Sequence, residues 1–454
     1  MTAPGLIIAG PASGCGKTLV TLALLRRLVS AGRAVTSAKV GPDYIDGAFH
    51  TAASGRPCVN LDSWAMRPAT LQALVRAVGE GADLVLAEGV MGLFDGAPGG
   101  GGSTADIAAL TGWPVVLVVD AKGMAASAAA LIQGYANHRD DVNLAGVIFN
   151  RVGGPGHTAV LRESCAPLGL PVIGGLPSDA GLAVPDRHLG LVQAHEHQDL
   201  DGLLDRAAAW AAAHLDIDRL VDLAQPATPG GAEEATTTCA LPPLGQRIAV
   251  ARDAAFAFTY SYVLEDWRAA GAEVLPFSPL AGQGPDANAD AVYLPGGYPE
   301  LHAGRLAGNR DFMMGLRAAA ARGATVYGEC GGYMVLGRGL EDAGGERHEM
   351  AGLLPVVTSF GTPRLTLGYR EVALGADSPL GNAGSRFRGH EFHYARLCGP
   401  EGDAPLFVCR NARGHDLGST GSRQGGVMGS FIHLVDRADG PAPAEQRSTV
   451  QYGA

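Results

Sequence analysis

The sequence has no long apolar run, no cysteine pair of the CxxC type and no stretch dense in lysine and arginine. Without a membrane-length apolar run, or a basic segment leading into an apolar one at the start, neither a membrane anchor nor a signal peptide is expected. The formal net charge of −11 argues against a nucleic-acid-binding protein. Hydrophobic residues make up 47% and charged residues 17%, a composition that indicates globular domains rather than a disordered chain.

Cysteine is also scarce. The seven cysteines are an odd number and are scattered, so they indicate neither a disulfide framework nor a zinc-ligand spacing. A reducing compartment, the cytoplasm, is therefore the expected location. The length of 454 residues predicts two or three domains, each large enough to bury a core of its own.

The N-terminal half alternates between short apolar runs and longer helix-like segments. The apolar runs are rich in Val, Ile and Leu without polar alternation, as in strands that are covered on both faces. Predicted strands span residues 6–9, 34–40, 83–87, 114–120, 144–150 and 171–174, and predicted helices include residues 17–30 and 123–137. This order predicts an α/β domain with a parallel sheet and helices on both faces.

Residues 10–18 (GPASGCGKT) follow the first predicted strand and resemble a phosphate-binding loop. Backbone amides and the next helix N-terminus would surround the phosphates, Lys17 would reach the outer phosphates, and Thr18 would hold Mg²⁺. The alternative is a plain strand-to-helix turn. The five-residue spacing between Gly10 and Gly16 resembles the ATP-dependent, carboxylate-activating relatives of dethiobiotin synthetase. The predicted ATP-binding residues of this loop are Gly14, Cys15, Gly16, Lys17 and Thr18.

Carboxylates follow two other predicted strands. Asp43 and Asp46 lie in KVGPDYID, and Glu88 and Asp95 lie in EGVMGLFDG. Ligands of parallel α/β sheets bind at the carboxyl ends of strands, and Mg²⁺ prefers hard oxygen ligands that it shares with phosphates. We therefore predict Mg²⁺ ligation and substrate positioning here, against the alternative of a Pro-, Gly- and Asp-rich turn or a solvated loop. Asn150 lies at the end of another predicted strand. Its side chain would either form a hydrogen bond with adenine or be a simple strand-end residue.

Residues 224–246 are rich in Pro, Gly and Thr and lack apolar periodicity, which predicts a linker. A second α/β pattern follows. Its predicted strands span residues 248–251, 273–277, 291–294 and 325–327, and its predicted helices span residues 260–270 and 309–322. The predicted division is thus residues 1–223, a linker over 224–246, a second domain over 247–440 and a tail over 441–454.

Cys330 lies between glycines in GECGG, where a strand gives way to a helix. Such a turn lifts the thiol out of the sheet, and the positive end of the helix would favour the thiolate. Backbone N–H groups of Gly297, in LPGG, and of Gly331 would form an oxyanion hole. His433, after a strand-like run, is the candidate general base. The alternatives are a buried core thiol and a structural histidine.

These residues resemble the class I glutamine amidotransferase domain, with Cys330 as nucleophile and His433 as base. Val435 stands where that family usually has a glutamate, which matches the branch of cobalamin biosynthesis, with a Cys–His dyad. The segment GHEFHY is also characteristic of that branch. In a strand, His390 would lie on one face and Glu391 with His393 on the other, so a structural or glutamine-side role is favoured over a metal site.

Across both halves, GPASGCGKT, KVGPDYID, EGVMGLFDG, FNRV, LPGGYPE, GECGGYM, GHEFHY and SFIH resemble the cobyrinate or hydrogenobyrinate a,c-diamide synthases. The resemblance implies a P-loop domain similar to dethiobiotin synthetase joined to a class I glutamine amidotransferase-like α/β domain. It also implies ATP-dependent amidation of the a and c acetates of a corrin, through acyl phosphates, with ammonia from glutamine. Thr18, Asp46 and Glu88 would then be metal ligands. The implied substrate-binding residues are Asp43, Tyr44, Ile45 and Asp95.

The implied cofactors are ATP and Mg²⁺, and the implied partners are glutamine and a corrin polycarboxylate, with no nucleic acid and no membrane. A homodimer is the assembly to test. The Ala- and Gly-rich composition suggests a GC-rich genome, and many such bacteria insert cobalt late, so hydrogenobyrinate is favoured over cobyrinate or nickel-sirohydrochlorin. An alternative of another class is a P-loop ATPase switch with an inactive glutaminase-like binding domain.

Overall fold

The computed structural model describes residues 3–182, 186–187, 190–191, 193–228 and 239–438. The chain divides into two compact units, one of Met1–Thr238 with Phe258–Leu264 and one of Cys239–Ala257 with Glu265–Ala454. Residues 229–238 of the predicted linker and the predicted tail lie outside the described residues. No helix in the described part of the chain is long and apolar enough to cross a membrane. All seven cysteines are free thiols.

The first unit alternates strands and helices along the chain. Its strands are β1 (Pro4–Ala9), β2 (Val35–Val40), β3 (Val59–Leu61), β4 (Leu84–Glu88), β5 (Val115–Asp120), β6 (Leu144–Val152), β7 (Val172–Pro177), β8 (Asp186–Arg187), β9 (Gly190–Leu191) and β10 (Gln225–Pro226). Its helices are α1 (Lys17–Ser30), α2 (Ile45–Ser54), α3 (Pro68–Gly79), α4 (Thr104–Thr111), α5 (Ser127–Ala136), α6 (Pro155–Cys165), α7 (Leu200–His214) and α8 (Ile217–Asp222).

The main sheet of this unit has the order β3-β2-β4-β1-β5-β6-β7, with parallel pairing throughout, and β10 pairs antiparallel with the start of β1. Its apolar strands are buried, as the uninterrupted Val, Ile and Leu runs predict. Because the strands are parallel, the loops after β1, β2 and β4 leave the sheet at the same edge. Pairing of Lys39 with Glu88 and of Ile8 with Glu88 brings those three strand ends together.

The second unit combines a parallel sheet with antiparallel sheets. Its strands are β11 (Arg247–Ala251), β12 (Glu273–Phe277), β13 (Ala291–Leu294), β14 (Thr325–Glu329), β15 (Gly339–Glu341), β16 (Arg347–Glu349), β17 (Val357–Ser359), β18 (Thr366–Leu374), β19 (Arg386–His393), β20 (Arg396–Leu397), β21 (Phe407–Asn411), β22 (Asp416–Thr420), β23 (Ser422–Gln424), β24 (Val427–Ser430) and β25 (Ile432–Arg437). Helices α10 (Ala303–Gly308), α11 (Arg310–Ala321) and α12 (Gly331–Leu336) belong to it, and the division between units falls within α9 (Ser261–Ala269).

The six-stranded sheet of the second unit has the order β12-β11-β13-β14-β24-β23 and is parallel except at the β23 edge. A five-stranded antiparallel sheet has the order β22-β21-β18-β19-β25, and a four-stranded sheet has the order β16-β15-β17-β20. Two strand pairings determine where the candidate site of the second unit lies. Glu329, the last residue of β14, pairs with Ser430, and His390 of β19 pairs with His433 of β25.

The predicted α/β class and the parallel sheet with flanking helices are confirmed, and three local features differ from what was predicted from the sequence. The segment after β2, for which a turn was the alternative, becomes helix α2 at Ile45. The side chain of Asp43, the residue before the N-cap Tyr44, accepts the backbone N–H groups of Ile45 and Asp46 and so stabilises the first turn. Asn150 does not end its strand, since β6 continues to Val152. The three-residue strand β3 was not predicted.

Candidate active sites

The loop after β1 has the geometry of a phosphate site. Helix α1 begins at Lys17, and Gly14 and Gly16 have φ values of 77° and 94°, which glycine adopts without strain. A Cβ on Gly16 would lie 2.2 Å from Nδ2 of Asn150, so a larger residue has no room there. The loop amides and the start of α1 are therefore available for an anionic ligand.

The Lys17 ammonium is held over this loop by backbone carbonyls. Its Nζ donates to the oxygen of Ala12 at 3.1 Å and to that of Met91 at 2.7 Å. Met91 has a φ of 47°, an uncommon value for a residue with a side chain. The Lys17 side chain is buried, and its Nζ also lies 3.9 Å from Cys15 Sγ. None of these three partners is a carboxylate, so the charge of Lys17 remains available to a phosphate.

The three predicted metal ligands belong to one buried cluster. Thr18 Oγ1 donates to Glu88 Oε1 at 2.7 Å, and Lys39 Nζ bridges Glu88 Oε1 at 3.0 Å and Asp46 Oδ2 at 2.6 Å. His50 Nε2 lies 2.6 Å from the other oxygen of Glu88. One hydroxyl and two carboxylates form an oxygen donor set that suits Mg²⁺.

Burial and ion pairing shift the pKa values of this cluster. Burial works to lower the pKa of Lys39 and to raise that of Glu88, but their opposite charges outweigh it and keep both ionised. Burial also opposes the charge of His50, yet Cys58 and Glu88 raise its pKa to about 10. Burial and the Asp43 carboxylate raise the pKa of Asp46 to about 7, against the effect of Lys39. At neutral pH the positive charges of Lys39 and His50 therefore balance the negative charges of Asp46 and Glu88.

Lys39 and His50 were not selected from the sequence. Lys39 pairs with Glu88 in the sheet, so its position depends on β2 lying beside β4. His50 lies one helical turn after Asp46, a spacing that becomes visible only once α2 is recognised. The available signal for Lys39 was its position at the start of KVGPDYID, directly at a strand's carboxyl end.

Asn150 lies against the phosphate loop. Its Nδ2 donates to the oxygen of Cys15 at 2.9 Å, and its Oδ1 accepts the N–H of Arg151. The Arg151 guanidinium donates to the oxygen of Gly14 at 3.0 Å and to Asp120 at 2.5 Å. The structure thus gives Asn150 a contact that orders the loop, whereas the adenine contact stays a prediction.

A cavity of about 460 Å³ opens beside the phosphate loop. Lys17, Thr18 and Asp46 line it, which places the predicted phosphate and metal residues on one continuous space. The cavity is also lined by residues that were not selected from the sequence: Arg151, Pro177, Asp179, Leu182 and Trp210. A polar end and an apolar flank are the usual make-up of a nucleotide-sized pocket.

The predicted substrate residues lie at the same sheet edge. Tyr44 precedes α2, and its ring stacks on that of Tyr260 at 4.3 Å between centroids, within the first unit. Asp43 accepts the N–H of Ile45 in the first turn of α2, and Asp95 Oδ2 accepts the N–H of Gly92 at 2.9 Å. Both aspartates therefore also shape their own loops, and their contact with substrate stays a prediction.

Cys330 forms the predicted sharp turn of the second unit. It stands between β14 and α12 with a φ of 47°, and its N–H donates to the oxygen of Ser430 at 2.8 Å. A Cβ on Gly332 would lie 1.9 Å from the oxygen of Leu294, so α12 packs directly on β13. The strained backbone is a typical feature of a residue held for function.

The predicted oxyanion donors lie beside this turn. A Cβ on Gly331 would lie 3.1 Å from the nitrogen of Gly297, so the two backbone segments approach closely. A Cβ on Gly296 would lie 2.3 Å from Cε1 of His433. The LPGG loop therefore contacts both the nucleophile turn and the candidate base, while the role of the amides stays a prediction.

His433 is buried at the start of β25, and its ring stacks on His390 at 4.8 Å between centroids with 7° between planes. Burial, together with His390 and His393, lowers the pKa of His433 well below its usual value, so the ring is neutral and can accept a proton. The expected thiolate was wrong for this resting state. Burial raises the pKa of Cys330, and the Gly331 amide only partly opposes it.

The GHEFHY segment lies in β19, and its side chains divide between faces as predicted. His390 faces His433, whereas Glu391 lies between Arg370 Nε at 2.7 Å and His393 Nε2 at 3.0 Å. The Cys330 thiol approaches the oxygen of Phe392 at 3.8 Å. The segment therefore borders the Cys330 site, which supports the favoured structural or glutamine-side role.

Glu329 is a further residue that sequence reasoning missed. It immediately precedes Cys330, is 2% exposed, and accepts hydrogen bonds from Tyr293, Tyr327 and the N–H of Leu434. Its position at the end of a buried strand was the available signal, because carboxylates in such places need partners.

Comparison with known families agrees with both sites. Residues 6–192 match the family described as CobQ/CobB/MinD/ParA nucleotide binding domain, and residues 247–440 match the CobB/CobQ-like glutamine amidotransferase domain. Fold and sites together define a nucleotide-binding P-loop domain joined to a glutamine amidotransferase domain. Among solved structures, the match to PurLQS from Thermotoga maritima covers 42% of this chain and 87% of that chain, with 16% identity and a TM-score of 0.30.

Relatives of known function match along nearly the whole chain. Hydrogenobyrinate a,c-diamide synthase of Brucella suis is 53% identical, over 95% of this chain and 98% of that protein. The protein of the same name from Rhizobium meliloti is 53% identical over 95% and 99%, and that from Mesorhizobium japonicum is 50% identical over 96% and 100%. The chain belongs to the hydrogenobyrinate a,c-diamide synthase family.

Proposed function

We propose that this chain is a glutamine-hydrolysing ligase that amidates the a and c acetate carboxylates of hydrogenobyrinate at the expense of ATP. The observation that carries the proposal is the presence in one chain of a phosphate loop with an oxygen donor set and of a Cys330 turn and His433 that both adjoin the LPGG loop. One site activates a carboxylate, and the other releases ammonia.

In the second unit, neutral His433 takes the proton of Cys330 Sγ, and the thiolate attacks the side-chain amide carbon of glutamine. Gly297 and Gly331 N–H groups stabilise the developing oxyanion. Ammonia leaves with the proton returned by His433, and water then cleaves the thioester to glutamate. Because burial raises the pKa of Cys330 and lowers that of His433, both groups are neutral before the proton transfer.

In the first unit, a substrate carboxylate attacks the γ-phosphorus of ATP, ADP leaves, and an acyl phosphate forms. Ammonia then displaces phosphate and gives the amide. Lys17 and the loop amides offset the phosphate charge, and Thr18, Asp46 and Glu88 are the residues that would hold Mg²⁺. Mg²⁺ supplies charge neutralisation at the phosphates when bound. Asp43, Tyr44, Ile45 and Asp95 lie at the same edge and are proposed to position the corrin acetate.

Product analysis tests this function. Purified protein is incubated with ATP, Mg²⁺, glutamine and, in separate reactions, hydrogenobyrinate, cobyrinate or nickel-sirohydrochlorin. Mass spectrometry should show one and then two amidations of hydrogenobyrinate, with ADP formed for each amide. ATP hydrolysis without any amide product would contradict the proposal and favour a P-loop switch.

We further propose a cytoplasmic location, which the free cysteines support, and a homodimer as the assembly to test. Light scattering during size-exclusion chromatography measures the assembly state directly. A mass of one chain at micromolar concentration would contradict the dimer without affecting the proposed chemistry.

A further inference from the structure

Glu329 connects the strand that ends at the nucleophile with the strand that carries the base. Its Oε1 accepts the N–H of Leu434 at 3.2 Å, and Leu434 directly follows His433. β14, which ends at Glu329, pairs with β24, whereas β25 pairs with β19 of another sheet. The Glu329 side chain therefore ties the end of one sheet to the start of a strand in the other.

Two tyrosines complete the environment of this carboxyl group. Tyr327 donates to Oε1 at 2.9 Å, and Tyr293 donates to Oε2 at 2.8 Å. The two rings stack with centroids 5.9 Å apart and 13° between planes, and Trp267 packs edge-on against Tyr293. A buried carboxyl group is costly unless donors satisfy it, so these contacts fix its position.

The contacts of the base differ from those of a Cys–His–Glu triad. Val435, two residues after His433, is buried and apolar, so no carboxylate follows the base at that position. The ring of His433 is limited on one side by His390 and on another by Gly296. The β25 backbone is held by its pairing with β19 and by the bond from the Cys330 N–H to Ser430. The hydrogen bond between Glu329 and Leu434 adds a direct connection from the residue before the nucleophile to the residue after the base.

We infer that Glu329 is a positioning residue for glutamine hydrolysis, which holds His433 in register with Cys330 through the Leu434 amide. The inference rests on the proposed glutaminase chemistry of the second unit. Glu329 does not touch the reacting atoms. Its removal is expected to slow the chemical step and to leave glutamine binding nearly unchanged, because it acts on the geometry between nucleophile and base.

The test compares Glu329→Leu with Glu329→Gln in the full chain. Leucine is similar in size but accepts no hydrogen bond, whereas glutamine keeps an acceptor for Leu434 and Tyr327. We expect Glu329→Leu to lower kcat of glutamine hydrolysis by about 100-fold, with KM changed less than about threefold. Glu329→Gln should restore most of kcat, and ammonium-driven amidation should be unchanged in both. Glu346→Leu, at an exposed glutamate of the same unit, is the matched control.

A folded Glu329→Leu enzyme with wild-type kcat would overturn the inference. If that variant does not accumulate as folded protein, the double variant Tyr293→Phe/Tyr327→Phe keeps the carboxyl group and removes two of its donors. Its kcat should then fall about tenfold, and an unchanged kcat would again overturn the inference. Failure of the underlying function is distinguishable, because glutamine hydrolysis that survives Cys330→Ala contradicts the glutaminase itself whatever Glu329 does.

Discussion

The hydroxyl of Thr18 donates a 2.7 Å hydrogen bond to Oε1 of Glu88. It joins the phosphate loop to the carboxyl end of β4, so two parts of the chain that are 70 residues apart form one site. The same oxygen of Glu88 accepts from Lys39. The Glu88 carboxylate therefore accepts hydrogen bonds from both the phosphate loop and the buried Lys39 ammonium.

Glu88→Gln tests this relationship. Glutamine keeps the volume but removes the negative charge needed for a cation at the phosphates. Amidation should fall by about 100-fold with either glutamine or ammonium as nitrogen source. The measurement is ADP and amide formation under saturating Mg²⁺, with the exposed Glu80→Gln as control. A Glu88→Gln enzyme with full ATP-dependent turnover would remove Glu88 from the proposed metal site.

Lys39→Met tests the buried ion cluster. The Lys39 ammonium is the cation between Asp46 and Glu88, and its loss leaves the buried Asp46 without this ion pair and Glu88 with His50 as its remaining ion-pair partner. The free energy of unfolding should fall by about 3–5 kcal/mol in the absence of divalent ions, and Mg²⁺ should recover part of it. Denaturant unfolding with and without Mg²⁺ measures both effects. The exposed Lys122→Met is the control, and equal stability of Lys39→Met and wild type would contradict the account.

Gly296→Ala tests the contact between the LPGG loop and the base. The added Cβ would lie 2.3 Å from Cε1 of His433, so the loop or the ring must move. Glutamine hydrolysis should fall by about 100-fold while ammonium-driven amidation persists. Gly308→Ala adds a Cβ that meets nothing within 4 Å and serves as the control. Wild-type glutaminase activity in Gly296→Ala would show that this contact does not position the base.

Glu329 should make stability depend on pH. Burial raises its pKa from 4.5 to about 7, against the hydrogen bonds from Tyr293, Leu434 and Tyr327. Because the folded pKa is the higher one, this contribution is fully present below pH 4.5 and is lost as pH rises through about 7. The Glu329→Gln variant does not lose stability in this way, because a glutamine side chain does not titrate. Its free energy of unfolding relative to wild type should therefore increase by about 3 kcal/mol from the acid to the alkaline side of this window.

Denaturant unfolding of wild type and Glu329→Gln across that pH range measures the difference. A difference that stays constant with pH would show that the Glu329 carboxyl group does not titrate in the window. It would not by itself affect the kinetic test of its positioning role.

The sequence predicted best what depends on apolar runs and on strand ends. Helix α1 and strands β12 and β13 have the predicted bounds, because each is a local apolar pattern between clear breaks. Helix α2 was missed because Gly41, Pro42 and Asp43 indicate a turn, and its first turn is stabilised by a side-chain contact. Strand β18 was missed because the charged residues Arg370 and Glu371 interrupt its apolar pattern, and β19 was considered only as a possible strand through GHEFHY.

The sites were predictable as positions but not as contacts. Parallel strands place Asp46 and Glu88 at one sheet edge, yet their bridging by Lys39 requires β2 to lie beside β4. Glu329 and Tyr293 are 36 residues apart, and only the pairing of β13 with β14 brings them together. Such tertiary contacts leave no local pattern.

Nitrogen tracing in Cys330→Ala tests the central claim most directly. Wild type and variant each receive hydrogenobyrinate, ATP and Mg²⁺ with either amide-¹⁵N glutamine or ¹⁵N ammonium, and mass spectrometry counts the label in the product. We predict a doubly labelled diamide from wild type with both sources, and from Cys330→Ala with ammonium alone. A labelled diamide formed by Cys330→Ala from glutamine, or no diamide from ammonium in a folded variant, would contradict a separate Cys330 glutaminase that supplies the ATP-dependent site.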